Sequence, residues 1–121
     1  DRVLGHYRRV REILRDDLEG MALVPESRMA IYGAGEMGEL MYLVLRDMGV
    51  TRVDFFDEHG GRSLLGTTVR DLKAIEPDEY VKVMVAFSSD IAERSDDLRA
   101  NGVTESQIIT FLKVPEIVEG A

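Results

Sequence analysis

Six residues constrain this chain more than any others: Gly33-Ala34-Gly35-Glu36-Met37-Gly38, spaced G-x-G-x-x-G between a short apolar run and an amphipathic stretch. Met29 to Tyr32 reads as a buried strand running into the glycines. Glu36 to Met48 then carries Met37, Leu40, Met41, Val44, Leu45 and Met48 at helical spacing, and Gly49 ends that helix by permitting a left-handed backbone. Each glycine has a mechanical duty. Gly33 allows the tight turn, Gly35 withdraws a side chain so that a phosphate can approach the backbone, and Gly38 lets the helix pack close to the sheet. The helix N-terminus offers unpaired N–H groups and a partial positive charge to an anion. The same glycines equally serve as a tight turn in a domain that binds nothing. Glu36 and Glu39, in the first helical turn, oppose a phosphate, and Arg62 is the nearest basic helper in sequence.

Beyond the motif the alternation of strand and helix continues. Val53 to Asp57 reads as a second strand, succeeded by a turn through Gly60-Gly61. Leu65 to Val69 reads as a brief third strand, Asp71 to Glu76 as a short helix stopped by Pro77, and Val81 to Phe87 as the strongest strand. Asp90 to Ala100 is a helix that Asp90 is placed to cap, with Glu93 completing a capping box; Asn101-Gly102 ends it, and Ile108 to Leu112 is a fifth strand. Strands alternating with helices imply parallel pairing through right-handed crossovers. The expected sheet is parallel, five-stranded, ordered 3-2-1-4-5 and covered on both faces. Before it, Val3, Tyr7, Val10, Leu14 and Leu18 form one apolar face of an N-terminal helix, Arg2 to Leu18. Arg8, Arg9, Arg11 and Arg15 with Glu12, Asp16 and Asp17 form its solvated flank.

Asp57 stands at the end of the second strand, about 20 residues beyond the glycines, where a carboxylate accepts hydrogen bonds from ribose hydroxyls. That position favours NAD over a 2′-phosphorylated cofactor, whose phosphate the carboxylate would repel. Ser88 and Ser89, at the end of the fourth strand, either hydrogen-bond the same ligand or help cap the next helix. The cluster Asp54, Asp57, Glu58 and His59 reads as a ribose-binding loop or a solvated turn rather than a metal site, because strand alternation sends Asp54 and Asp57 to opposite faces. The six methionines sit mostly at core-facing positions, which assigns them to packing.

Several chemistries fail on residue types. A Walker loop needs Lys and Ser/Thr after its second spaced glycine, where Glu39-Leu40 come after Gly38. A nucleophile elbow needs a final glycine that Gly61-Arg62-Ser63-Leu64-Leu65 lacks. None of Tyr7, Tyr32, Tyr42 or Tyr80 has a Lys four residues on, so the Tyr/Lys pair of short-chain dehydrogenases is missing. No catalytic residue is assigned. With 15 Lys+Arg against 23 Asp+Glu, the net charge of −8 repels nucleic acid and anionic membrane. No run of about 18 apolar residues and no signal-peptide pattern occurs. Zero cysteines exclude disulfides and thiolate chemistry, and the cytoplasm is the expected compartment. At 121 residues there is room for one domain. Residue 1 is Asp, so the chain is read as processed or as a piece of a longer protein.

Taken together, Gly33 to Leu40, Phe55-Phe56-Asp57-Glu58, Gly66-Thr67-Thr68-Val69, Val83 to Ser89 and Leu98 to Val103 resemble a Rossmann-type domain. The resemblance is to the nucleotide-binding domains that precede the catalytic parts of bacterial sugar acyltransferases and polysaccharide-biosynthesis sugar dehydratases. The glycine stretch by itself also looks like that of glutamyl-tRNA reductase. With the helix containing Tyr7-Arg8-Arg9-Val10-Arg11-Glu12, the whole chain is similar to the C-terminal half of certain bacterial winged-helix transcriptional regulators, whose DNA-reading half would precede Asp1. There are no hexapeptide repeats for an acyltransferase β-helix.

These readings imply a Rossmann-like three-layer α/β sandwich over residues 28–112, an N-terminal helix and connection over 1–24 and a tail over 113–121. The implied function is non-catalytic sensing of a nucleotide, NAD-like or a nucleotide-sugar, within a longer regulator. The site is formed by Gly33, Ala34, Gly35, Glu36, Met37, Gly38, Asp57, Ser88 and Ser89. A homodimer through the N-terminal helix is the expected protein partner. The alternative is the cofactor-binding domain of a sugar-modifying enzyme whose catalytic part lies elsewhere.

Overall fold

The computed structural model describes residues 2–20, 23, 24, 26–87 and 89–110, with only the backbone described at 2–7, 10, 14 and 17. Alternation along β1 (Arg28–Tyr32) divides its side chains between two cores. Met29 and Ile31 join Val53 and Phe55 of β2 (Arg52–Asp57) on one face. Ala30 and Tyr32 join Phe56 on the other, together with Val83 and Val85 of β5 (Lys82–Val85). Helix α2 (Glu36–Asp47) buries Met37, Leu40, Met41, Val44 and Leu45 in the first core. Leu18 of α1 (Arg2–Glu19) is fully buried there as well. On the opposite face Leu98 of α3 (Ile91–Ala100) packs with Leu72, Ile75, Tyr80 and Val103. The result is three layers, with Met29, Met37, Met41 and Met84 buried as packing residues.

Strands β1 and β2 pair in parallel, as do β1 with β5, β2 with β4 (Thr67–Asp71), and β5 with β6 (Ile108–Ile109). The sixth strand, β3 (Ser63–Leu64), runs antiparallel to β4 at the sheet edge. The expected five-stranded, all-parallel sheet ordered 3-2-1-4-5 is thereby corrected to a mixed six-stranded sheet ordered β3-β4-β2-β1-β5-β6. The cause is a tight reversal in which Leu65 (φ 51°) and Gly66 (φ 79°) both take left-handed backbone, the geometry of a two-residue hairpin. Residues 65 and 66, expected within a strand, are its turn.

Three smaller expectations are also corrected. Asp71 to Glu76 is not a helix: Asp71 accepts a hydrogen bond from the Lys73 N–H (2.9 Å) and closes a single 3₁₀ turn, Leu72–Ala74. Pro77, whose fixed φ suits a first helical position, opens a second such turn, Pro77–Glu79, instead of stopping a helix. Asp90 adopts left-handed backbone (φ 56°) and makes no capping bond, so no capping box with Glu93 forms. Phe111 and Leu112 of the expected fifth strand, and the tail 113–121, lie outside the described residues.

Helix α1 is fastened to α2 by charge as well as by Leu18. Arg11 and Arg15 approach the Asp47 carboxylate at 3.3 and 3.9 Å, so part of the flank expected to be merely solvated faces a neighbouring helix. Val3, Tyr7, Val10 and Leu14, the expected dimer stripe, have side chains outside the described set. Among the described residues no helix is long and apolar enough to cross a membrane.

Candidate functional site at the carboxyl ends of the strands

The β1–α2 loop is held between its two neighbours. The Gly33 N–H donates to the Phe56 carbonyl (2.8 Å), while the Ala86 N–H donates to the Tyr32 carbonyl (2.8 Å). Gly33 itself has φ +119°, and a Cβ there would lie 2.6 Å from the Ala86 oxygen; a Cβ on Gly38 would overlap the Gly33 oxygen. These two glycines are therefore fixed by backbone crowding beneath the loop. Gly35 is different. Its φ of −105° suits any residue, and a Cβ would meet nothing within 4 Å, because the position opens into a cleft of about 390 Å³. A volume of that order holds a small ligand.

Ala34, Gly35, Glu36 and Met37 form one wall of the cleft, Ala86 and Phe87 another, and Asp57 with Arg62 the third. No side chain caps α2, so its first N–H groups, beside the cleft, have no side-chain acceptor. Asp57 is already engaged. One of its oxygens, Oδ2, accepts from the Ala34 N–H and from Arg62 Nη2, both at 3.0 Å, and Oδ1 accepts from the Glu58 N–H (2.7 Å). Arg62 Nη2 also donates to the Ala34 carbonyl (3.1 Å). The carboxylate expected to await a ribose thus anchors the glycine loop and an arginine.

Of the residues singled out from sequence, Ala34, Gly35, Glu36, Met37 and Asp57 line the cleft, and Gly33 and Gly38 support it from below. Ser88 lies outside the described residues. Ser89 is exposed and makes no hydrogen bond among the described residues, neither to α3 nor toward the cleft.

Sequence reasoning missed a polar cluster behind Phe87. The Arg94 guanidinium stacks 4.1 Å over the Phe87 ring, donates to Tyr32 Oη (3.3 Å) and pairs with Glu58. Tyr32 Oη donates to Asp97 Oδ2 (3.0 Å), and the Tyr32 ring meets Phe87 edge-on at 5.0 Å. Burial, above all, pushes the Tyr32 hydroxyl up to about 12. For Arg94 burial acts downward, but hydrogen bonds to Glu58 and Tyr32 outweigh it and raise the pKa further. Phe87 was visible as the end of a strand; Arg94 had no local signal, since Tyr32, Glu58 and Phe87 come from β1, the loop after β2 and the loop after β5.

A second network lies farther down the same sheet face. Asp54 Oδ2 accepts from Tyr80 Oη (2.7 Å), Arg28 Nη2 (3.2 Å) and Arg70 Nη2 (3.2 Å), which places Asp54 apart from Asp57 as alternation requires. Burial and then the bond to Asp54 push the Tyr80 hydroxyl upward. Among the described residues no group of His, Cys, Asp or Glu is arranged to hold a metal ion.

No protein-family model matches the sequence, and no curated protein does. Among solved structures the fold is similar to that of RSP, a Rex-family repressor, with a TM-score of 0.56 and 19% sequence identity. The match covers 78% of this chain and 49% of that one, so the chain spans about half the length of the repressor it matches. At such identity the likeness is one of architecture: the fold is Rossmann-like.

Proposed function

We propose that this chain is a nucleotide-sensing domain, the ligand-binding part of a longer bacterial transcriptional regulator, and that it carries out no reaction itself. The observation that carries this reading is Gly35. Its backbone is relaxed and its Cβ direction is empty, so the protein's own packing gives no reason for a glycine; close approach of a ligand phosphate to the α2 N-terminus does. The cleft lies outside the carboxyl ends of β1, β2 and β5, where doubly wound sheets hold ligands.

Two features favour a sensor over an enzyme. The structural neighbour carries a repressor's name. The cleft walls supply a carboxylate already bonded to an arginine, but no nucleophile paired with a base among the described residues. The alternative of a sugar-modifying enzyme's cofactor domain has no counterpart among the comparisons. The test is isothermal titration of the chain with NAD⁺, NADH, NADP⁺, coenzyme A and UDP-glucose. Saturable binding of one of them, lost in Gly35→Val, supports the reading; no heat from any at millimolar concentration overturns it.

A further inference from the structure

We infer that the cleft selects an adenine nucleotide carrying a phosphate on its adenosine ribose, at the 2′ or 3′ oxygen, and that Arg62 is the residue that reads this phosphate. The inference rests on the nucleotide reading of the cleft given above and reverses the preference that Asp57 alone would set.

A carboxylate that reads an unmodified ribose accepts from both hydroxyls. Asp57 already accepts from three donors, two on Oδ2 and one on Oδ1. Arg62 Nη2 bridges Asp57 and the Ala34 carbonyl, which sets its guanidinium where the strand-end acid of such a fold meets the ribose. These bonds use only Nη2. Among the described residues Nη1 and Nε make no hydrogen bond, and the side chain is 58% exposed. A guanidinium presents its donors as a planar fork, and a fork with a free edge pairs with phosphate in two parallel bonds. Arg62 is also the cationic member of the cleft wall among the described residues, where Glu36 and Asp57 otherwise leave a negative field. A phosphate at the ribose is therefore attracted by the arm that neutralises Asp57, while the diphosphate bridge of the ligand is left to the α2 N-terminus.

Two sources of this chemistry are separable with matched pairs. NADP⁺ differs from NAD⁺ by the 2′-phosphate, and coenzyme A differs from dephospho-coenzyme A by the 3′-phosphate. Isothermal titration of the full chain with all four is expected to show the phosphorylated member of one pair binding about tenfold or more tightly, as charge-assisted hydrogen bonds of about 1.5–3 kcal/mol imply. The pair that shows the preference identifies the phosphate position. In Arg62→Gln the ratio should fall to within about threefold of one, and in Arg62→Lys it should recover in part, since an ammonium keeps the charge without the fork. Melting curves verify that both variants fold. Equal or tighter binding of NAD⁺ and dephospho-coenzyme A, or a ratio unchanged in Arg62→Gln, overturns the inference while leaving the nucleotide reading intact. Binding of none of the four overturns the inference, and silence from UDP-glucose as well overturns the nucleotide reading with it.

Discussion

A Cβ added to Gly38 would run into the carbonyl oxygen of Gly33, and one added to Gly33 would run into that of Ala86, so backbone crowding fixes both outer glycines of the motif. Gly35, between them, is under no such demand. Gly38→Ala and Gly33→Ala should each destabilise the fold by about 1–3 kcal/mol through overpacking, with left-handed strain added at Gly33. Gly35→Val should leave the midpoint of thermal unfolding within a few degrees while removing nucleotide binding. Unfolding scans and titration calorimetry on the three variants separate the two effects.

Asp57→Ala removes the acceptor for the Ala34 N–H and the partner of Arg62 together. Loss of stability should be about 1–3 kcal/mol, because the N–H belongs to the buried Ala34 and is left without its acceptor. Nucleotide affinity should fall by about 1 kcal/mol or more as well, because the glycine loop and Arg62 both lose the carboxylate that positions them. Urea unfolding and titration of the same preparation measure both, and unchanged affinity would remove Asp57 from the site.

The contrast between Asp57 and Arg94 marks what a sequence shows of such a site. Asp57 is legible because its distance from the glycines along the chain comes from one helix and one strand, both written in side-chain periodicity. The central strands and α2 were legible for the same reason. Arg94 lies 36 residues from Glu58, its pairing partner, and no local pattern reports a contact made by folding one half of the domain onto the other. Backbone conformation was the other blind spot. Leu65 turns a chain that its apolar neighbours mark as extended, and Asp90 takes a left-handed conformation where its side chain suggested a cap. In both, tertiary geometry overrode local preference.

Arg94→Ala leaves Phe87 without its stacked guanidinium and Glu58 without its cation. The expected cost is about 1–2 kcal/mol in denaturant unfolding. Arg94→Lys should regain little of it, because an ammonium offers neither the planar stack nor the fork. Full recovery by Lys would show that charge alone matters at this position.

Tyr32 ties stability to alkaline pH. Its hydroxyl titrates at about 12 in the folded chain and near 10 when unfolded, so the native state holds the proton more tightly. Its contribution is complete below about pH 10 and declines as pH rises from about 10 to 12. Tyr32→Phe should flatten the decline in denaturation midpoint over that window, and the ultraviolet titration of the variant should show one late tyrosinate fewer, that of Tyr80 remaining.

At Asp54 the outcome depends on which partner is removed. Tyr80→Phe deletes one donor but leaves Arg28 and Arg70 on the carboxylate, an expected loss of about 1 kcal/mol. Asp54→Ala leaves the two arginines facing each other and should cost more. Thermal unfolding in low and high salt should narrow the gap between the variants, since screening relieves the arginine pair.

The small edge hairpin has an evolutionary consequence. Arg62 enters the cleft from the position just before β3, and β3 is held in place by Ser63 facing Thr68 and Leu64 facing Thr67. Because strand side chains alternate, inserting or deleting one residue at the Leu65-Gly66 tip and letting the register slip would turn Arg62 toward the other side of the sheet. On the proposed reading of the cleft, ligand preference in descendants of this chain is free to drift through the length of a surface turn at the far end of the strand, with every glycine of the β1–α2 loop left as it is.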